Sequence, residues 1–180
     1  MEKYNEIQQI KRRFYAMRNG VTADGLRNAG LGYRYIFGLN IPQLTDIAAE
    51  TGMNQSLALK LRDDTLCRES MLLAPMIYPP EMLTADEAME WIAKAPTIEV
   101  IDILCHRLLR NIPAAWDVID AAMQSKIPLI RYAAARLTFN MLYSAPDRAD
   151  GIARTLSDDS EPLVARVAAQ MLDELEFLKA

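Results

Sequence analysis

Between residues 95 and 109 the chain reads APTIEVIDILCHRLL, and four side chains there could do chemistry: Glu99, Asp102, Cys105 and His106. Apolar residues recur at helical spacing (Ile98, Ile101, Leu104, Cys105, Leu108), so the stretch reads as a core-forming helix. On that helix Asp102 lies under Ile98 and Glu99, with His106 one turn beyond. A carboxylate in a partly desolvated groove costs several kcal/mol unless it is paired. Two readings of Asp102 follow. It is a surface-edge acid paired with His106 or a neighbouring arginine, worth a few tenths of a kcal/mol. Or it is aimed into a groove, where its retention asks for a functional reason. Cys105 and His106 are adjacent, point about 100° apart on a helix, and do not form a nucleophile–base pair. The sequence holds one histidine, no C-x-x-C, no phosphate-cradling glycine loop and no G-x-S-x-G. Neither a metal nor a cofactor is expected.

Chemistry of this kind needs a scaffold, and 180 residues, 51% of them hydrophobic, are enough for one domain with its own core. A chain of this size buries roughly 70% of its unfolded surface. Cys67 and Cys105 both fall in apolar helical stretches, and they read as reduced core residues of a cytoplasmic protein. The N-terminus is charged from its second residue and does not read as a signal peptide. The longest apolar stretch, MLLAPMIYPPEML, is cut by three prolines. It falls short of the ~20 residues a membrane span needs. The net charge of −4 is uneven. Residues 1–36 carry seven Lys/Arg (Lys3, Lys11, Arg12, Arg13, Arg18, Arg27, Arg34) against three acids, whereas the remainder carries 13 bases against 21 acids. Phosphate neutralisation supplies much of the affinity of a nucleic-acid binder. Only the N-terminal segment resembles the basic stripe this requires.

Nearly every segment repeats at period 3.6 and none alternates at period 2 over a useful length, which predicts an all-α fold of about nine helices. The first helix is expected over about 3–18, ending at Asn19-Gly20. Residues 19–33 hold four of the seven glycines and read as a loose loop. Pro42 and Pro128 open helices at their first turn, Thr84-x-x-Glu87 is a capping box, and Ser144-x-x-Asp147 is read as another cap. Connections of two to six residues make successive helices antiparallel. PLIRYAAARL (128–137) and PLVARVAAQM (162–171) match in register 34 residues apart, and RDDTLCRESMLLA (62–74) echoes SDDSEPLVARVAA (157–169). Such internal repetition predicts a HEAT-like α-solenoid, a superhelical stack of helix pairs whose concave face is the usual binding surface.

The order of FGLNIPQLTDIAAE (37–50), CRESMLLAPMI (67–77), TADEAMEWIAKAPTIEVIDIL (84–104) and the two Pro-Leu repeats resembles the HEAT-like-repeat DNA alkylation repair proteins, the alkylpurine DNA glycosylases of that group. The resemblance spans roughly residues 34–178. It implies binding of duplex DNA in a concave groove and excision of cationic N3- or N7-alkylpurines by hydrolysis of the N-glycosidic bond. Asp102 then corresponds to the catalytic carboxylate and Arg131 to a DNA contact. Four positions depart from the family pattern. Ile98 replaces a tryptophan, Glu99 replaces an aspartate, and Gln170 and Asp173 stand where a groove tryptophan and arginine are expected. Loss of two stacking aromatics, at about 1–3 kcal/mol each, weakens the case for excision. The competing expectation is a non-catalytic HEAT-like scaffold that binds a protein or peptide.

Overall fold

A computed structural model describes residues 5–179; Lys3 and the expected helix start near residue 3 lie outside the described residues. The chain divides into two compact units, residues 1–79 and 80–180. Among the described residues there are eleven α-helices and no strand beyond one isolated bridge between Tyr35 and Cys67.

The first unit contains α1 (Glu6–Ala16), α2 (Gly20–Asn28), α3 (Ile41–Thr51), α4 (Gln55–Arg62) and α5 (Arg68–Ile77). Helix α5 is its hub: it packs on α3 and α4, and every one of its residues except Met76 is buried. A helix so enclosed reads as apolar all round, yet α5 begins with two charged residues, Arg68 and Glu69. They form a buried ion pair at 3.0 Å that also holds the chain ahead of α3. The Glu69 carboxylate accepts from the N–H groups of Phe37 (3.1 Å) and Gly38 (2.9 Å), and Arg68 donates to the Leu39 carbonyl (3.1 Å). These bonds satisfy backbone groups that no helix or strand would pair. Gly38 sits at φ +79°, and a Cβ there would lie 2.2 Å from the Asn19 carbonyl oxygen, so only glycine permits this approach to α2.

The expected loose loop over 19–33 is overturned, because α2 occupies most of it. The first helix ends at Ala16, and Asn19 caps the second: its side chain accepts from the Thr22 N–H at 3.1 Å. Such a cap is worth ~1 kcal/mol. It offsets a helical glycine's comparable cost, while Ala23 anchors the helix in the core.

The second unit contains α6 (Ala85–Lys94), α7 (Ile98–Arg107), α8 (Ala115–Met123), α9 (Pro128–Met141), α10 (Pro146–Leu156) and α11 (Pro162–Lys179). Here α9 is the hub, packing on α7, α8, α10 and α11. Its run Ala133-Ala134-Ala135 is fully buried, and small side chains are what let several helices approach one axis. The repeated Pro-Leu motifs open α9 and α11, which pack on each other. Ser144 does not act as the expected cap. Its hydroxyl donates back to the Met141 carbonyl, and α10 starts from Ala145 with Pro146 as first residue. Thr84 does form the expected capping box with Glu87.

Candidate functional site

Helix α7 is a core helix, as its spacing predicts. Thr97 caps it by accepting from the Val100 N–H, and Val100, Ile101, Leu104 and Cys105 are buried. Burying Ile101 and Leu104 contributes about 1.5–3 kcal/mol each. The helix ends at Arg107 and is followed by a 3-10 turn over Leu109–Asn111. Cys105 is wholly buried, with its thiol 3.7 Å from the Ala133 carbonyl. Burial pushes its pKa far up, with the nearby Asp102 charge adding to the shift. It is a core thiol without nucleophile character.

Asp102 sits at the edge of this core, about a third exposed (32%), where α7 meets α9. One of its oxygens, Oδ1, accepts a hydrogen bond from the Tyr132 hydroxyl at 2.8 Å and forms an ion pair with Arg136 Nε at 3.0 Å, both partners coming from α9. Among the described residues nothing donates to Oδ2. Tyr132 is buried, and that burial, followed by its bond to Asp102, raises the phenol's pKa and keeps the hydroxyl protonated as a donor. Asp102 is thus an acid held through one oxygen by a hydrogen bond and an ion pair, while the other oxygen takes no donor among the described residues. Ile98, one turn earlier on the same face, is an exposed apolar residue beside it (40%). Glu99 is partly buried.

His106 is not the partner of Asp102. It approaches Arg110 Nη1 at 3.4 Å and bonds the Asn140 side chain from α9. Its pKa is lowered, first by burial and then by the charges of Arg110 and Arg107, with Arg136 adding to the effect. Arg107 and Arg110 at the end of α7 and Arg136 on α9 thus all lie close enough to His106 to act on its charge.

Arg131 lies on the same helix as Tyr132 but is engaged elsewhere. It forms a two-pronged ion pair with Asp159, Nε to Oδ2 at 2.6 Å and Nη2 to Oδ1 at 2.8 Å, and Nη1 donates to the Ser125 carbonyl at 3.0 Å. Arg131 thereby ties the turn before α9 to the turn before α11. These bonds depress the Asp159 pKa. Gln170 and Asp173 are exposed on α11. The structure thus joins Asp102 to Tyr132 and Arg136, which sequence reasoning did not single out. Their i,i+4 spacing on the repeat helix was the available signal, but only the packing of α9 on α7 shows which acid they face.

No protein-family model and no curated protein matches the chain. One solved structure matches with a TM-score of 0.76 at 18% identity, covering 92% of this chain and 73% of that one. That protein is described as belonging to a new family related to the HEAT-like repeat DNA glycosylases, with affinity for branched DNA structures. The chain has the HEAT-like repeat fold. No helix among the described residues is long and apolar enough to cross a membrane.

Proposed function

We propose that this protein binds DNA, duplex or branched, through the cations around the C-terminal end of α7, and that Asp102 gives it a weakened capacity to release cationic N3- or N7-alkylpurines. The observation that carries this reading is the carboxylate with one oxygen held by Tyr132 and Arg136 and no donor among the described residues on the other, on a helix whose C-terminal end carries Arg107 and leads to Arg110. The fold, shared with a protein described as having affinity for branched DNA, supports it. Alkylation at N3 or N7 makes the purine a cationic leaving group. As the glycosidic bond lengthens, positive charge moves onto the sugar. A fixed carboxylate beside that sugar lowers the barrier electrostatically. Arg110, exposed past the end of the helix, would hold a flanking phosphate and so position the strand. Arg131 would contribute by bracing the turn before α9 against the turn before α11, since its guanidinium is engaged by Asp159.

Two features make the activity weak. Arg136 offsets much of the Asp102 charge, and Ile98 provides no aromatic face for the lesion. The direct test is release of N7-methylguanine from methylated duplex DNA under single-turnover conditions. Slow release that vanishes in Asp102→Asn, with DNA binding retained, is the expected result. Release equal to background in the wild type removes the enzymatic part.

A second reading rests on charge. The unit containing Asp102 has sixteen acidic against ten basic residues, which suits a scaffold for a basic protein segment. Under that reading neither duplex nor branched DNA binds at physiological salt.

A further inference from the structure

The first unit, unlike the second, has a basic excess, ten Lys/Arg against eight acids. Part of that excess converges on a cleft of about 310 Å³ between the end of α1, the start of α2 and the segment 34–37. Three arginines, Arg18, Arg27 and Arg34, and two tyrosines, Tyr15 and Tyr35, line it, and no acidic residue does.

The arginines are held in place. Arg18 stacks over the Tyr15 ring at 3.9 Å and donates to the Tyr15 carbonyl at 2.8 Å. Arg27 is braced by Asp24 and by the Ile36 carbonyl. Arg34 lies 5.3 Å from the centre of the Tyr35 ring. Among the described residues no carboxylate pairs with Arg18 or Arg34, so the cleft keeps an uncompensated positive charge. Both rings remain open to solvent, Tyr15 at 58% and Tyr35 at 42%. The wall formed by residues 36–38 is fixed by the bonds from Glu69 and by the Asn19 N–H donating to the Phe37 carbonyl at 2.8 Å.

Guanidinium groups beside exposed aromatic faces suit a ligand that has both an anionic group and a flat ring. The combination of a positive groove with stacking rings is how single strands are held without sequence preference. The cleft volume is at the small end of ligand pockets. It suits one nucleotide and is too small for a double helix.

We propose that this cleft binds a nucleotide of single-stranded nucleic acid, with its phosphate on Arg18, Arg27 and Arg34 and its base stacked on Tyr15. The proposal rests on the DNA-binding reading for its class of ligand and adds a separate site for unpaired strand.

The test uses the full chain and fluorescence anisotropy with a labelled ten-nucleotide oligo-dT, in parallel with a blunt duplex. The Arg18→Gln/Arg34→Gln variant is expected to weaken oligo-dT binding at least tenfold and to reduce the log–log salt slope by about 0.7, the value for one phosphate on a single strand. Tyr15→Ala is expected to cost about tenfold with little change in slope. Duplex binding should stay within twofold in both variants, and a thermal melt confirms that they fold. Wild-type protein that ignores oligo-dT, or variants that bind it as the wild type does, overturns the proposal. The duplex arm then reports separately on the general DNA-binding reading. Displacement of oligo-dT by free thymidine monophosphate at equal nucleotide concentration would also overturn it, because the ligand would then be a free nucleotide.

Discussion

Replacing Arg136 by glutamine should increase base release. The guanidinium lies 3.0 Å from Asp102 Oδ1, and the sugar cation would form on the side of the open Oδ2. At an effective dielectric of about 20, a carboxylate about 4 Å from a unit positive charge attracts it by ~4 kcal/mol, and a guanidinium about 8 Å away repels it by ~2 kcal/mol. Removing that repulsion roughly doubles the net stabilisation. A gain of ~2 kcal/mol corresponds to about a 30-fold faster chemical step. Tyr132 still donates to Oδ1, so the carboxylate keeps its direction. The assay is single-turnover release of N7-methylguanine from duplex DNA, with protein well above its Kd so that any loss of affinity does not enter the rate. Arg136→Gln should exceed the wild type by about an order of magnitude or more, and adding Asp102→Asn should return release to background. If Arg136→Gln releases base no faster than the wild type while fully bound, the electrostatic argument is wrong.

Three further outcomes follow from the packing. Glu69→Gln removes the charge that answers buried Arg68 and turns an amide N–H toward backbone donors; the expected loss is ~3–5 kcal/mol, read from the urea midpoint. Asp159 has its pKa lowered by Arg131, so the pair stabilises the fold above the carboxylate's ordinary value of about 4, and that stability is lost as pH falls through the lower folded value. Accordingly, Arg131→Ala should lower the melting temperature at pH 7 and differ much less from the wild type near pH 2.5. Cys105 should resist maleimide labelling in the native protein and react fully in denaturant; rapid native labelling would contradict its burial.

Much of the scaffold was legible because it depends on local signals. Thr84 announces a helix start, and the alanine run with its 34-residue echo marks the helices about which the second unit packs. The region of α2 misled because its glycines outweigh, in a propensity reading, one asparagine cap and one buried alanine that act only once the helix is packed. Ser144 misled for a related reason: its hydroxyl could cap a helix or turn back on the preceding one, and Pro146 decides where the helix begins. Asp102 was conspicuous as an acid among isoleucines. Its partners were not, since Tyr132 and Arg136 come from another helix and the nearer His106 turns to Asn140 and Arg110. Arg131 showed the reverse, a promising cation in sequence whose engagement by Asp159 depends on a turn 28 residues away.

The most direct test of the DNA-binding claim is the salt dependence of affinity for plain duplex and for a four-way junction. A contact from Arg110 to one phosphate predicts a log–log slope of about −0.9 or steeper on duplex, and Arg110→Gln should reduce it by about 0.9. A slope near zero on both DNAs, unchanged by that substitution, would contradict the account.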